Sequence, residues 1–444
     1  MKLYIIYNII LCSLLLLSWP GLLWYMYRRQ GSLAGLGERL GWGWPRPQFQ
    51  AGNESRTSWF HGASVGEVQM LVPLIQAWCE RYPETGLLLT TMTLTGRQTA
   101  KRLFPQARVV LLPLDLPGLW PLFFRRFRPK CLIIAETELW PNLLHYAKRQ
   151  GLPLALVNAR LSLKSFTNYR FCRFFTKTMF AAPTVVVVQD QVSGQRFADL
   201  GTSSERIILS GNMKFDLLPS GNSGAQNLYR NLFAPEIPVV VAGSTHPGEE
   251  EMILDAWEKC LLQVPETSKY ACLVLAPRHP QRFTEIAEFL TLREVDYLRF
   301  SLWKERSDSA VLPKVPAVLL LDTLGDLIHF YRLSRFAIIG GTLVPGIGGH
   351  NPLEAAVFAK AVIHGSYIAN FRDGFGYLDD QGGGLPVDGE AELEILFRRC
   401  LQEPGFALGE GLKAAATVDR HRGAVSRTMT SLEEVFGLIR EDKV

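Results

Sequence analysis

Ser58-Trp59-Phe60-His61-Gly62-Ala63-Ser64-Val65-Gly66-Glu67 carries a strand into a helix with almost nothing between them. The apolar run at its start has the length of a strand, the turn holds two glycines, and residues 68–80 continue as helix-like sequence. A strand that feeds directly into a helix returns to its sheet beside a parallel neighbour, so the unit implies a parallel sheet covered by helices. The unit recurs along the chain. In the first half, strands are expected at 58–61, 87–91, 109–112, 131–135, 154–157 and 185–188, most of them followed by helical stretches. Residues 217–227, rich in Gly, Ser and Asn, have the composition of a linker. The rhythm then restarts, with strands expected at 239–242, 272–275, 317–321, 336–339 and 361–363. The expected fold class is therefore α/β, with two Rossmann-like doubly wound domains facing a cleft. Their bounds are 30–216 and 237–444, with a linker over 217–236 and a membrane anchor helix over 1–29 ahead of them.

A chain of 444 residues is too long for one core and fits two domains. With 48% hydrophobic and 20% charged residues it has material for large cores, and its composition is not that of a disordered chain. The formal charge of +5 is small for this length and leaves no nucleic-acid footprint. The seven cysteines, at 12, 79, 131, 172, 260, 272 and 400, are scattered and form no Cys-x-x-Cys pair, so they read as buried thiols in a reducing compartment. The eight histidines show no His-Glu-x-x-His spacing, and nothing here makes a case for a bound metal.

Residues 3–27 are uncharged and almost wholly apolar, long enough to cross a bilayer core of about 30 Å as a helix. Trp19, Trp24, Tyr25 and Tyr27 suit an interface, while Arg28, Arg29 and Arg39 follow the span and only Lys2 precedes it. That asymmetry puts the domains on the cytoplasmic side of the inner membrane. A cleaved signal peptide would have a shorter apolar core and a small-x-small site, which does not follow here. Pro20 and Gly21 leave room for a kinked or partly interfacial segment.

Ligands of open parallel sheets bind beyond the carboxyl ends of the strands, and the loops there are rich in chemistry. Glu67 sits in the first turn of its helix, where it can take a proton or simply complement the helix dipole. Glu136-Thr137-Glu138 puts two carboxylates after the fourth strand, as stabilisers of charge or as helix caps. Asn158-Ala159-Arg160 and Gly211-Asn212-Met213-Lys214-Phe215-Asp216 close two further strands with one cation each, suited to phosphate or carboxylate. In the second half, Gly243-Ser244-Thr245-His246-Pro247-Gly248-Glu249-Glu250 opens a helix whose free N–H groups favour an anion, and Ala276-Pro277-Arg278-His279-Pro280 repeats the position with an arginine. Gly340-Gly341-Thr342 through Gly346, Gly348, Gly349, His350, Asn351, Pro352, Leu353 and Glu354 describes backbone folded closely around a ligand, then a helix bearing a carboxylate that would suit a ribose diol.

With Thr93, Gly96-Arg97, Asn158-Ala159-Arg160-Leu161-Ser162, Asp322-Thr323-Leu324-Gly325-Asp326 and Ala369-Asn370-Phe371, these loops make the chain resemble the Kdo transferases of lipopolysaccharide synthesis, from the anchor to the region of Asp373. The resemblance implies the two-domain fold called GT-B. It further implies CMP-Kdo, the activated form of 3-deoxy-D-manno-octulosonic acid, as donor, a lipid A precursor (lipid IVA) as acceptor, and neither cofactor nor catalytic metal. By the same resemblance Glu67 is the general base, Glu138 and Lys214 stabilise the transition state, and CMP is held by Pro277, Arg278, Leu324, Gly325, Asp326, Asn351, Pro352, Leu353 and Glu354. A single base opposite a good leaving group implies inversion. Asp326 stands where the family pattern has Glu.

Arg125, Arg126, Arg128 and Lys130, and Lys164, Arg170, Arg173 and Lys177 interleaved with Phe166, Tyr169, Phe171, Phe174 and Phe175, would suit a phosphorylated glycolipid in a membrane. They also fit a solvated helix with a buried aromatic stripe. Two other functions share these loops: a GT-B transferase or epimerase using another nucleotide sugar, and a non-catalytic membrane scaffold that binds glycolipid. Glu67, Lys214 and Arg278 together speak against the scaffold, because a binder needs no base.

Overall fold

The structure, a computed structural model, describes residues 4–14, 16–18, 35–45, 57–217, 229, 232–234, 236–264, 270–306 and 317–437. It falls into two compact units, residues 1–217 with 422–444 and residues 218–421.

The first unit is built on seven parallel strands: β1 (Thr57–His61), β2 (Gly86–Thr91), β3 (Arg108–Leu111), β4 (Pro129–Ala135), β5 (Leu154–Ala159), β6 (Val185–Val188) and β7 (Ile207–Leu209), in the order β3-β2-β1-β4-β5-β6-β7. Alternate residues feed two cores. Ala155 and Val157 of β5 pack on one face with Phe60, Trp78 and Val187, while Leu154, Leu156 and Ala159 pack on the other with Trp59, Trp120 and Phe123. Strands buried on both faces read as unbroken apolar runs, which is why the central ones are legible in the sequence.

The second unit repeats the plan with β8 (Val239–Thr245), β9 (Cys272–Pro277), β10 (Tyr297–Arg299), β11 (Val318–Leu320), β12 (Phe336–Ile339), β13 (Ala361–His364) and β14 (Gly384–Pro386), ordered β10-β11-β9-β8-β12-β13-β14, again all parallel. The three strands the sequence pattern did not yield, β7, β10 and β14, have three residues each and lie at sheet edges. A short edge strand has neither the length nor the two-sided burial that makes a pattern.

Two expectations need correcting. The second domain does not extend to residue 444, because the helix Ala424–Phe436 packs on the first sheet's core: Ala424, Leu432 and Phe436 join Phe60, Trp78 and Val185, and Asp216 accepts the backbone N–H groups of Gly423 at 2.7 Å and Val425 at 2.6 Å. An amphipathic stripe announces that a helix needs a core without saying which one. Nor are all the cysteines buried: Cys131, Cys260, Cys272 and Cys400 are, Cys79 is half-buried, and Cys12, on a helix, and Cys172, in the turn between two helices, are exposed.

Of the expected anchor, residues 4–14 and 16–18 are helical, and residues 1–3, 15 and 19–34 lie outside the described residues, as does most of the linker. Among the described residues no helix is long and apolar enough to cross a membrane. One side of this N-terminal helix is docked. The Tyr7 hydroxyl donates to Asp115 at 3.1 Å, Asn142 Nδ2 donates to Asn8 Oδ1 at 2.8 Å, and Tyr4 stacks on His145 with ring centroids 4.0 Å apart. The other side leaves Ile5, Ile9, Leu14, Leu16 and Leu17 bare.

Leu432→Ala should destabilise the first domain by about 2–5 kcal/mol, the usual cost of emptying a packed core position. Amide hydrogen exchange would then quicken in β1 and β6 and stay unchanged in β8 and β9; quickening confined to the second sheet would refute the packing.

Candidate active site

The strand order reverses about the first strand of each sheet, between β1 and β4 in the first and between β8 and β12 in the second. Connections leave such a point in opposite directions, so the space beyond the strand ends stays uncovered and becomes the natural ligand site. Three non-glycine residues with positive φ stand at strand ends beside these points: Glu136 (56°) after β4, Asn158 (52°) in β5 and Ser244 (59°) in β8. A left-handed backbone outside glycine persists only where surrounding contacts hold it.

At the first reversal Glu67 follows β1 and Glu136 and Glu138 follow β4. Ser64 caps the helix Val65–Met70, accepting from the Glu67 N–H at 3.4 Å and donating its hydroxyl to Glu67 Oε1 at 3.0 Å, while the Ala63 N–H donates to Oε2 at 2.6 Å. The arrangement is a variant of the capping box, so Glu67 serves the start of its helix while its carboxyl stays open to chemistry. Burial is the largest influence on its acidity and pushes the carboxyl up to about 7; the Ala63 and Ser64 bonds oppose that, and the charges of Glu136 and Glu138 add to it. Glu138 is raised as well, by burial first and by Glu136. A half-buried carboxyl poised near neutrality can accept a proton from a hydroxyl.

Lys214 lies on the short 3-10 turn Met213–Leu217, with its ammonium 4.0 Å from Glu136 Oε1. Glu136, which carried no separate role in the sequence, is thus the carboxylate that faces the cation. Asn158 holds this corner together. Its side chain is fully buried, Nδ2 meets Met70 Sδ at 2.7 Å, Oδ1 accepts from the Met213 N–H at 2.9 Å, and its carbonyl accepts from Gln189 Nε2 at 2.8 Å. The helix bearing Glu67 and the turn bearing Lys214 therefore share one buried amide, and the strand-ending Asn-Ala-Arg motif is the only sequence signal for it.

At the second reversal three loops converge. Asn351 Oδ1 accepts from the Leu353 N–H at 3.2 Å and Nδ2 donates to Glu354 at 3.4 Å, capping the short helix Leu353–Ala356 behind Pro352. Glu354 is raised by burial, with Asn351 and the nearby positive charge of Arg278 opposing. Pro277 is buried at the end of β9, whereas Arg278 is exposed. Gly340 is required, since a Cβ there would stand 2.3 Å from the Ser244 carbonyl oxygen.

Leu324 is exposed, Gly325 takes φ 90°, and Asp326 is turned inward, bonded to the Tyr229 hydroxyl at 2.6 Å, Thr323 at 2.6 Å and Lys304 at 3.0 Å. The Asp326 carboxylate thus organises its own loop, on whose surface Leu324 lies. Among the described residues, no group of three or more His, Cys, Asp or Glu is placed to hold a metal ion.

Comparison with known proteins agrees with this organisation. Residues 34–217 match the family model of 3-deoxy-D-manno-octulosonic-acid transferase (kdotransferase). A 3-deoxy-D-manno-octulosonic acid transferase of Haemophilus influenzae is 34% identical over 380 residues, covering 84% of this chain and 86% of the relative. One from Bordetella pertussis is 32% identical over 387 residues, covering 85% and 87%. Among solved structures, UDP-GlcNAc 2-epimerase from Neisseria meningitidis bound to UDP-GlcNAc has a TM-score of 0.56 over 85% of this chain and 100% of that one at 13% identity, a likeness of fold alone. Identity at the level of the first two relatives, across most of both chains, makes the protein a member of the 3-deoxy-D-manno-octulosonic acid transferase family.

Proposed function

We infer that the protein is an inverting glycosyltransferase that moves Kdo from CMP-Kdo to a lipid A precursor, lipid IVA, in lipopolysaccharide core biosynthesis. The observation that carries the reading is Glu67, a carboxyl held near neutrality where the first sheet reverses. The acceptor hydroxyl gives its proton to Glu67 as its oxygen bonds to the anomeric carbon of Kdo, and the bond from that carbon to phosphate breaks with its electron pair on CMP. Positive charge building on the sugar is stabilised by Glu138, and Lys214, beside Glu136, stabilises negative charge. Pro277, Arg278, Leu324, Gly325, Asp326 and Asn351 to Glu354 hold the nucleotide, and the bonds of Asp326 to Tyr229, Thr323 and Lys304 shape the loop that presents Leu324 and Gly325.

The acceptor meets the first domain at the membrane. Phe171, Phe174 and Leu163 are exposed by 92%, 75% and 66% on the paired helices Leu163–Phe171 and Arg173–Phe180, which also bear Lys164, Arg170, Arg173 and Lys177. Apolar side chains ringed by cations suit a phosphorylated glycolipid, and the bare side of the N-terminal helix together with the uncharged run to residue 27 supports an inner-membrane anchor with the domains on the cytoplasmic side.

Detergent-solubilised protein given CMP-Kdo and tetra-acylated lipid A precursor in EDTA should yield acceptor heavier by one or more Kdo units in mass spectrometry. Glu67→Gln should lower the rate by about 10² to 10⁴ while leaving CMP affinity unchanged; an equally active variant would remove Glu67 as the base.

Because the base works only when ionised, kcat/KM should fall about tenfold per pH unit below a midpoint near 7. Removing a like charge with Glu136→Gln should move that midpoint to lower pH, and a profile that stays in place would show that Glu67 is not the titrating group.

A further inference from the structure

Three imidazoles meet beyond the reversal of the second sheet. His246 lies after β8, His350 after β12, and His279 beside Arg278 after β9. Nε2 of His246 and Nε2 of His350 are 2.8 Å apart with the rings stacked, centroids 5.0 Å apart, and His279 meets His246 edge-on at 5.3 Å. Two ring nitrogens at that distance share a single proton, one donating and the other accepting. Glu249 sets the spacing from below. Its fully buried carboxylate accepts the N–H groups of His246 at 2.9 Å and Gly341 at 2.7 Å on one oxygen and of Leu343 at 2.9 Å on the other, so the loops after β8 and β12 are tied to each other.

We propose that the His246–His350 pair is a proton-binding element of the donor site, neutral in the free protein and charged by one proton from solvent when the nucleotide's phosphate occupies the reversal. The proposal rests on the reading of this domain as the CMP site, and goes beyond it in giving the histidines a role in the charge balance of transfer.

Cleavage of CMP-Kdo changes the phosphate's charge. The bond from the anomeric carbon to the phosphate oxygen breaks with its electrons on that oxygen, so a phosphodiester with one negative charge becomes a monoester with two. The acceptor's proton goes to Glu67, and the histidine pair keeps its own proton between the two nitrogens. A pair that already carries one positive charge stabilises the second phosphate charge as it forms.

The surroundings favour a switch of this kind. His350 is pushed down to about 4, by burial first, then by its partner His246 and by the positive charge of Arg278; His246 is lowered too, by burial first and, among its neighbours, by Arg282 and Arg278. The nearby carboxylates are already engaged: Glu250 pairs with Arg282 at 2.5 Å, Glu249 is held by three N–H groups, and Glu354 is bonded to Asn351. An incoming phosphate therefore meets cations whose counter-charges are spent, and its charge reverses the balance that keeps the pair neutral. Arg278 and His279 are exposed, so the way in is open.

The test is calorimetric titration of the full-length, detergent-solubilised protein with CMP at about pH 7.5, where the free monoester is nearly all dianion, in buffers of differing ionisation enthalpy. Binding of CMP should take up protons, and its Kd should weaken with rising pH, by up to about tenfold per unit between the pair's free and bound midpoints. Cytidine, which has no phosphate, should bind without uptake. His350→Gln and His246→Gln should bind CMP with no uptake and a flat pH dependence. CMP binding by the native protein with no proton uptake and a pH-independent Kd would overturn the proposal. No CMP binding at all would overturn the donor-site reading beneath it. The native protein alone decides between these, so a variant that does not fold leaves the test intact.

Discussion

Val157 is enclosed on both faces of its sheet, and the residue after it, Asn158, is as deeply buried yet polar, so every one of its hydrogen-bonding atoms must find a partner inside the protein. The parallel, helix-covered sheets impose this rule throughout: side chains along a strand are apolar, and polar groups gather where strands end. At a reversal of strand order the rule relaxes, because the connecting helices diverge and water or ligand can reach the strand ends. Glu67 and Glu136 occupy one such opening and His246 and His350 the other. Both domains thus concentrate their titratable groups at the same topological place, although the groups differ.

The acidity of Glu67 illustrates how little separates a structural carboxylate from a chemical one. Its bonds to Ala63 and Ser64 would hold an ordinary cap ionised, and burial with two neighbouring carboxylates outweighs them. The same oxygens that close the helix turn are therefore available to a proton near neutral pH. Around His246 and His350 the balance runs the other way, with burial first and neighbouring positive charge after it disfavouring protonation of the rings.

Much of this architecture was legible in the chain. Central strands such as β4 and β6 were readable because both faces are buried, and the strand-to-helix turns, Gly-rich around Glu67 and Glu354 and Pro-flanked around Arg278, marked the loops that carry these residues. What stayed hidden depended on distance or on context. Edge strands of three residues, β7, β10 and β14, carry no period to detect. That Lys214, brought in by Asn158, faces Glu136 rather than Glu138 could not be read from the chain. His246 and His350 are 104 residues apart and become a pair only through the strand order of the sheet. The bonds of Asp326 to Tyr229, Thr323 and Lys304 were equally hidden, because a carboxylate's partners are set by the fold around it.

The return of the helix Ala424–Phe436 to the first sheet has a consequence for biosynthesis. The second unit is one continuous stretch, 218–421, whereas the first is completed only by residues that follow it. On the ribosome, β1 to β7 emerge early and can pair, but the side of Trp78 that meets Phe436, with ring centroids 6.4 Å apart, stays uncovered until the second unit has been translated. An interrupted nascent chain therefore displays an apolar face that a finished one hides, and chaperones and proteases that recognise such surfaces can tell the two apart.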